Sequence, residues 1–495
     1  MVDTAPGPGL ILFNRFGMGA RPGDLAGLRL DPRAALKAEL AKADVALVSE
    51  ADASALGLMS TTPNIQAAYV AQAERSLDKK QAEDATRLGT APRAALGGIG
   101  SDAVAEARPN AMAMTALRPP AKPGPRIEQT IYNAEALARI DMATRAEIGF
   151  VERLVAFWSN HFCVSVRKGD IIRVTAGSFE REAIRPNVLG SFLDMLMAVE
   201  HHPAMLYFLD NNQSIGPDSI AGQRQKRGLN ENLAREIMEL HTLGVGSGYA
   251  QADVTSLARV LTGWTYAGRE GRQGEPGSFV FNVRAHEPGD QMVIGKAYLQ
   301  GGLGQGEAAL TDLARHPATA HHIATKLARH FIADDPPPAI VDRLAKVFRD
   351  RDGDLRALAV ALIDSPEAWS VPLTKIRNPY DVAMASARLS GAVPQDAGPS
   401  LAIMRNLGMP LWEVADPNGY PDTEAAWGSP EEMKLRLDLS VQIAHGVRSA
   451  KAPLDMLDDL AGQEASAETR LAVSRAESRE QAMALLLMSP EFQRR

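Results

Sequence analysis

Three histidines stand where an ordinary helix or turn has no need of one. His161 falls near the end of the run FWSNHF, His241 closes ENLAREIMELH, and His286 lies in RAHEPGD. A neutral imidazole offers one nitrogen lone pair, to a proton or to a metal, and imidazoles suit Zn, Cu or Fe. His161, His241 and His286 are therefore candidate catalytic residues and candidate ligands of a His-ligated transition metal. Asn160, Glu236 and Asp253 lie close to them in sequence and are candidates for orienting a bound cofactor. With no thiolate ligands the site would be a His/carboxylate one, and both metal-assisted hydrolysis and oxidative chemistry fit it.

Helical periodicity places two of the three. At about 100° per residue, Phe150, Val151, Leu154, Val155, Phe157, Trp158 and Phe162 share a stripe that contains His161. Glu152, Arg153, Ser159 and Asn160 take the other side. In the second run Leu233, Ala234, Ile237, Met238 and Leu240 make the apolar face, with His241 near its middle and Asn232, Arg235, Glu236 and Glu239 opposite. Both imidazoles point inward. Glu236 and His241 are five apart, so a regular helix cannot aim both at one ion as an i, i+4 pair would, and HExxH logic is absent. Ligands would have to come from facing helices, as in bundle cores. The alternative is a buried histidine satisfied by carbonyls or hydroxyls.

The other reactive types have plainer readings. Glu231, Arg235 and Glu239 have the i, i+4, i+8 spacing of an exposed ion-pair ladder. His202 and His316 each precede a proline that can occupy the first helical position, which suits capping. His322, Lys326 and His330 repeat every four residues, as a basic exposed helix face would. Cys163, the single cysteine, excludes intramolecular disulfides and cysteine zinc sites and reads as an inert buried thiol. Trp264, after LTG, reads as an anchor at a helix end. GGLGQG at 301–306 follows no buried strand and carries no dinucleotide signal. There is no GxSxG elbow and no GxxxxGK[ST] loop.

The elements that must position these residues are mostly helices. Ala, Leu, Arg and Met are plentiful, and aromatics make up 5% of the 495 residues, a composition favouring helix. Strong helical patterns cover roughly 147–164, 179–199, 203–210, 230–243 and 251–262, then 306–315, 317–332, 338–350, 354–364, 378–391, 399–407 and 430–447. The expected fold is predominantly α, with a small β-hairpin or irregular insertion near 276–300, where SFVFNVRAHEPGDQMVIGK alternates and breaks. The expected division is N-terminal helices at 1–43, a helical segment at 44–146 with a flexible Pro/Gly-rich loop near 88–126, and a main helical domain at 147–495. A net charge of −7 and a pI of 5.9 argue against nucleic acid as the main partner. No apolar run reaches the length of a membrane span. The start, MVDTAPGPGLILFNRFGMGARPG, has neither a basic region nor a cleavage site, which points to the cytoplasm, or to the periplasm if the chain is exported with a partner.

FWSNHF, RGLNENLAREIMELHTLGVGSGYAQADVTSLARVLTGWTY and LARHPATAHHIATKLARHFIADDPP together resemble the bacterial domain-of-unknown-function 1800 family. LILFNRFGMGARPGD near the start, and TKIRNPYDVAMASAR and LGMPLWEVADPNGYPDTEAAW later, fit its ends. The resemblance implies export by the twin-arginine route, folded and in some cases around a cofactor. It also implies a neighbour from family 1501, which resembles sulfatase-like or alkaline-phosphatase-like proteins, and so a non-catalytic role as helical partner or maturation factor for such a protein. The leading expectation from the residues is an enzyme with a buried His/carboxylate site. Two positions depart from the family pattern. Ala250 replaces a Thr or Ser that would cap the next helix, and His286-Glu287 replaces a His-Asp pair.

Overall fold

In the computed structural model, the residues described are 7–89, 125–225, 228–391, 393–446 and 451–495. The expected loop near 88–126 lies almost wholly outside them. The fold is predominantly α-helical, as the composition predicts, with two small antiparallel strand pairs inserted.

The central layer is built from helices α1 (Ile127–Arg145), α2 (Phe150–His161), α3 (Asp170–Phe179) and α4 (Phe192–Glu200). The helical turn Asn232–Glu236 (α5) continues into a π turn, Ile237–His241. Gln251–Val260 (α6), Pro317–Phe331 (α7) and Pro379–Ser390 (α8) complete the surroundings of the cavity. One continuous core runs from Ile11 to Trp412, and a second cluster joins α8 to the helices between 430 and 492.

Helix α2 begins where Gly149 takes φ +91°, a conformation disfavoured for any side chain; a Cβ there would also meet Met18 at 2.9 Å. The buried Glu39 carboxylate then accepts the N–H groups of Ile148, Gly149 and Val151 at 3.2, 3.2 and 2.9 Å, satisfying the helix start from another element. The polar side of α2 does not face water. Arg153 donates to Asp381 at 2.9 Å and Arg185 donates to Glu152 at 2.8 Å. A helix buried on all sides carries charges only where each is paired.

Several local expectations are borne out. His202 and His316 cap their helices, with Nδ1 accepting from Ala204 and Ala318 at 3.1 Å each. Arg235 bridges Glu231 at 3.2 Å and Glu239 at 3.5 Å. Trp264 is fully buried, although it opens a strand rather than ending a helix. Its strand, β1 (Trp264–Tyr266), pairs with β2 (Phe279–Phe281), while β3 (Gln291–Val293) pairs with β4 (Lys296–Tyr298) as a hairpin. The insertion is thus two strand pairs, the first drawing on residues before 276. The glycine-rich stretch at 301–306 packs rather than binds, because a Cβ on Gly306 would strike the Trp264 ring at 2.5 Å.

At the start of α6, Asp253 accepts the Ala250 N–H at 2.8 Å, while the Ala250 methyl has no atom to accept in return. Only half of a capping box is present. Ala250→Ser is therefore expected to stabilise the fold by about 0.5–1 kcal/mol, read as a higher urea midpoint at unchanged slope. An unchanged or lower midpoint would show that the N–H groups of this helix start are already satisfied.

Candidate functional site

His161 and His241 do meet. Their ring centroids are 6.3 Å apart, and His161 Nε2 lies 3.2 Å from the backbone carbonyl of His241. A carbonyl only accepts, so Nε2 carries the proton and Nδ1 is left as a lone pair. That Nδ1 is buried and has no partner among the described residues. Burial, then the nearby Lys326 charge, holds the His161 ring well below its ordinary pKa, hence neutral. His241 is fixed differently, by Glu200 at the end of α4, whose Oε1 lies 2.7 Å from Nδ1.

The π turn that carries His241 alters the spacing argument. Thr242 donates to Ile237, five residues back, at 2.9 Å. In such a turn the residue stacked below is the fifth rather than the fourth. Glu236 therefore comes onto the His241 side, half-buried. Burial raises its carboxyl above the usual carboxylate range.

The remaining candidates have other duties. His286 is buried rather than set among charges in an open turn; its Nδ1 bonds Thr262 O at 2.9 Å and its ring packs on Phe281. Asp253 ties the start of α6 to the β3–β4 hairpin, accepting from Ile294 N–H at 2.7 Å. Asn160 clamps the segment at 410–423: its amide donates to Tyr420 O at 2.9 Å and its carbonyl accepts from Tyr420 N–H at 2.8 Å.

That segment closes a cavity of about 310 Å³ over α2 and α7. Phe157, His161, Lys326, His330, Trp412 and Asp422 are among its lining residues. The basic face of α7 therefore looks inward, contrary to the exposed face its spacing suggests. His330 is 7% exposed, and its Nδ1 is held at 2.6 Å by Asp422 while its Nε2 has no partner among the described residues. Burial lowers the His330 pKa against the pull of Asp422. The Asp422 carboxyl, which burial alone would raise, is held well below the usual range by His330, Arg495 and Lys375. The proton thus sits on Nδ1, and Nε2 is a second free lone pair, in the arrangement of a carboxylate-oriented general base. Phe157 packs against both rings, with centroids 6.3 Å from His161 and 5.4 Å from His330.

Between His322 and His330 on the same face stands Lys326. Among the described residues its amine makes neither a hydrogen bond nor an ion pair, and burial pushes its pKa down to about 8. His322, lowered to about 4 by burial and by that lysine, bonds Leu240 O at 3.1 Å through Nε2. Cys163 lies in the same wall with its thiol pushed up to about 12 by burial, an unreactive protonated group. The apolar wall comes from Met404, Met409, Leu411 and Trp412, the last at φ +50°. A bulky residue in that region is strained and is held there by its surroundings. Here Tyr132 donates to Leu411 O and Val166 N–H to Trp412 O.

Among the described residues no three His, Cys, Asp or Glu side chains are grouped to hold a metal ion, and the unpaired Lys326 ammonium faces the same space. His161, His241 and His286 do not converge, since His286 keeps to Thr262 and the strands. Asp422 and Glu200 carry no signal of a site in the sequence, and His330 reads there only as part of an exposed basic face. Each is recognisable only through its partner, 41 to 92 residues away.

Fold and site define a helical protein with an internal cavity lined by neutral imidazoles and one unpaired amine. The chain belongs to the family described as protein of unknown function (DUF1800), whose family model matches residues 11–494. No curated protein and no solved structure matches it. No helix among the described residues is long and apolar enough to cross a membrane.

Proposed function

We propose that the chain is an enzyme working by acid–base catalysis, without a metal, on a small and partly apolar molecule that carries an acidic group. The observation that carries this reading is the pair of unpartnered imidazole nitrogens, His161 Nδ1 and His330 Nε2, lining one cavity of about 310 Å³. That volume lies at the small-molecule end of ligand pockets. Lys326 and Arg329, neither with an ion-pair partner among the described residues, supply uncompensated positive charge for an acidic group. Met404, Met409, Leu411 and Trp412 supply the apolar side.

The test is imidazole ¹⁵N NMR on histidine-labelled protein, titrated with small branched-chain and aromatic carboxylates. His161 is expected as the Nε2–H tautomer and His330 as the Nδ1–H tautomer, both neutral at pH 7, and both resonances should move on binding. Stoichiometric metal on these rings, or carboxylates that bind without moving either resonance, would overturn the reading.

A further inference from the structure

The cavity holds an amine with no structural duty. Lys375 is also buried, and it is pinned by Asp334 at 2.5 Å and by the Asp422 carbonyl at 2.9 Å. Lys326 is half-buried and makes no hydrogen bond or ion pair among the described residues. An unpaired ammonium out of water costs desolvation and returns no contact. What the position supplies is a larger share of free base: burial brings its pKa to about 8, so the neutral amine, though still the minor form at neutral pH, is far more abundant than on an ordinary lysine.

Its neighbours match a definite chemistry. His330 follows one turn later on α7, and His161 faces it from α2; each offers a lone pair to the cavity. Arg329 stands at the rim of the same cavity and, among the described residues, donates only through Nε, to Asp334 O at 3.0 Å. Its two remaining nitrogens can take a carboxylate in a forked pair. Across the space lie Met404, Met409, Leu411 and Trp412.

We propose that Lys326 forms an imine with the ketone of a 2-oxo acid bearing an apolar side chain, whose carboxylate is taken by Arg329. This deepens the small-acid enzyme reading and rests on it. The Nζ lone pair makes the C–N bond as the carbonyl π pair moves to oxygen. One N–H proton passes through an imidazole to that oxygen, giving a carbinolamine. The second N–H proton then passes through the same neutral imidazole to the hydroxyl, which leaves as water while nitrogen closes the C=N bond. Amine and ketone become imine and water, with no oxidant or reductant.

The test treats the full chain with 4-methyl-2-oxopentanoate, reduces with sodium cyanoborohydride and maps the adduct by peptide mass. The expected result is one adduct, on Lys326, formed about tenfold or more faster than on any other lysine. It should be absent from Lys326→Arg and from Lys326→Met, each checked for an unchanged melting transition. Adducts spread over the surface lysines, or none on Lys326, overturn the proposal. 4-Methylpentanoate, which keeps the carboxylate and tail but lacks the ketone, separates the two ideas. If it binds and moves the His161 and His330 resonances while the oxo acid leaves Lys326 unlabelled, the imine fails and the cavity reading stands. If neither compound binds, both fail.

Discussion

Asp381→Ala is expected to lower the unfolding free energy by about 3–5 kcal/mol, the size of effect seen when one partner of a buried ion pair is removed. Arg153 Nη1 donates to Asp381 Oδ2 at 2.9 Å, and Arg495 Nε lies 2.9 Å from the same oxygen at an angle too poor for a hydrogen bond. Both guanidiniums are essentially inaccessible to water, so the variant leaves Arg153 with no carboxylate partner among the described residues and Arg495 with Asp422 alone. Burial alone would raise the Asp381 carboxyl; Arg153, Arg495 and Arg377 outweigh it and hold it at about 2. A depressed carboxylate stabilises the fold above its unfolded pKa, near 4, and that contribution fades as pH falls toward 2. It amounts to about 2 kcal/mol at neutral pH. Urea unfolding at several pH values should show a curve for Asp381→Ala that is lower throughout and flatter between pH 4 and 2. A loss under about 1 kcal/mol would mean that water reaches the arginines.

His330→Asn is expected to slow chemistry in the cavity by about 10²–10⁴-fold while leaving affinity for a non-reacting carboxylate within a few-fold, because a positioned acid–base group acts mainly on the transition state. The readout is imine formation on Lys326, followed by timed borohydride quenching, alongside the dissociation constant of 4-methylpentanoate. Asn cannot shuttle a proton, whereas it can still hydrogen-bond Asp422 and keep that carboxylate partnered beside Arg495 and Lys375. Equal loss of rate and affinity would assign His330 to packing instead. Asp422→Asn should give a similar loss of rate through the wrong imidazole tautomer, with a larger cost in stability because Arg495 and Lys375 lose a partner.

Much of this fold is legible in the residues themselves. A proline after a histidine marks the caps at His202 and His316, and four-residue spacing marks the ladder through Arg235, since both depend on neighbours within one turn. Amphipathic patterning likewise turns His161 and His241 inward. What a helical wheel does not contain is the identity of what covers a face. The row His322, Lys326, His330 has the composition of a solvated surface, and it faces inward because chain far away in sequence lies over it, the segment at 410–423 over Lys326 and His330 and the turn after His241 over His322. Asp422 is 92 residues from His330, and Glu200 is 41 from His241. The π turn at Ile237–His241 is hidden for another reason. Its hydrogen-bond register is set by packing rather than by residue spacing, and it turns Glu236 toward the His241 side of the helix.

The Asp381 cluster also bears on how the molecule is made. Arg153, Asp381 and Arg495 lie 228 and 114 residues apart. At about 5–20 residues per second the ribosome delivers the first of them roughly 20–70 seconds before the last. Until Asp381 is made, enclosing helix α2 would bury the Arg153 cation against the Gly17 and Asn14 carbonyls with no carboxylate to balance it, so the central layer is expected to wait, loose and partly wet, for chain still being synthesised. The cavity is correspondingly a late product of folding. A holdase that binds nascent chain should raise the yield of this protein more than that of helical proteins whose buried charges pair locally.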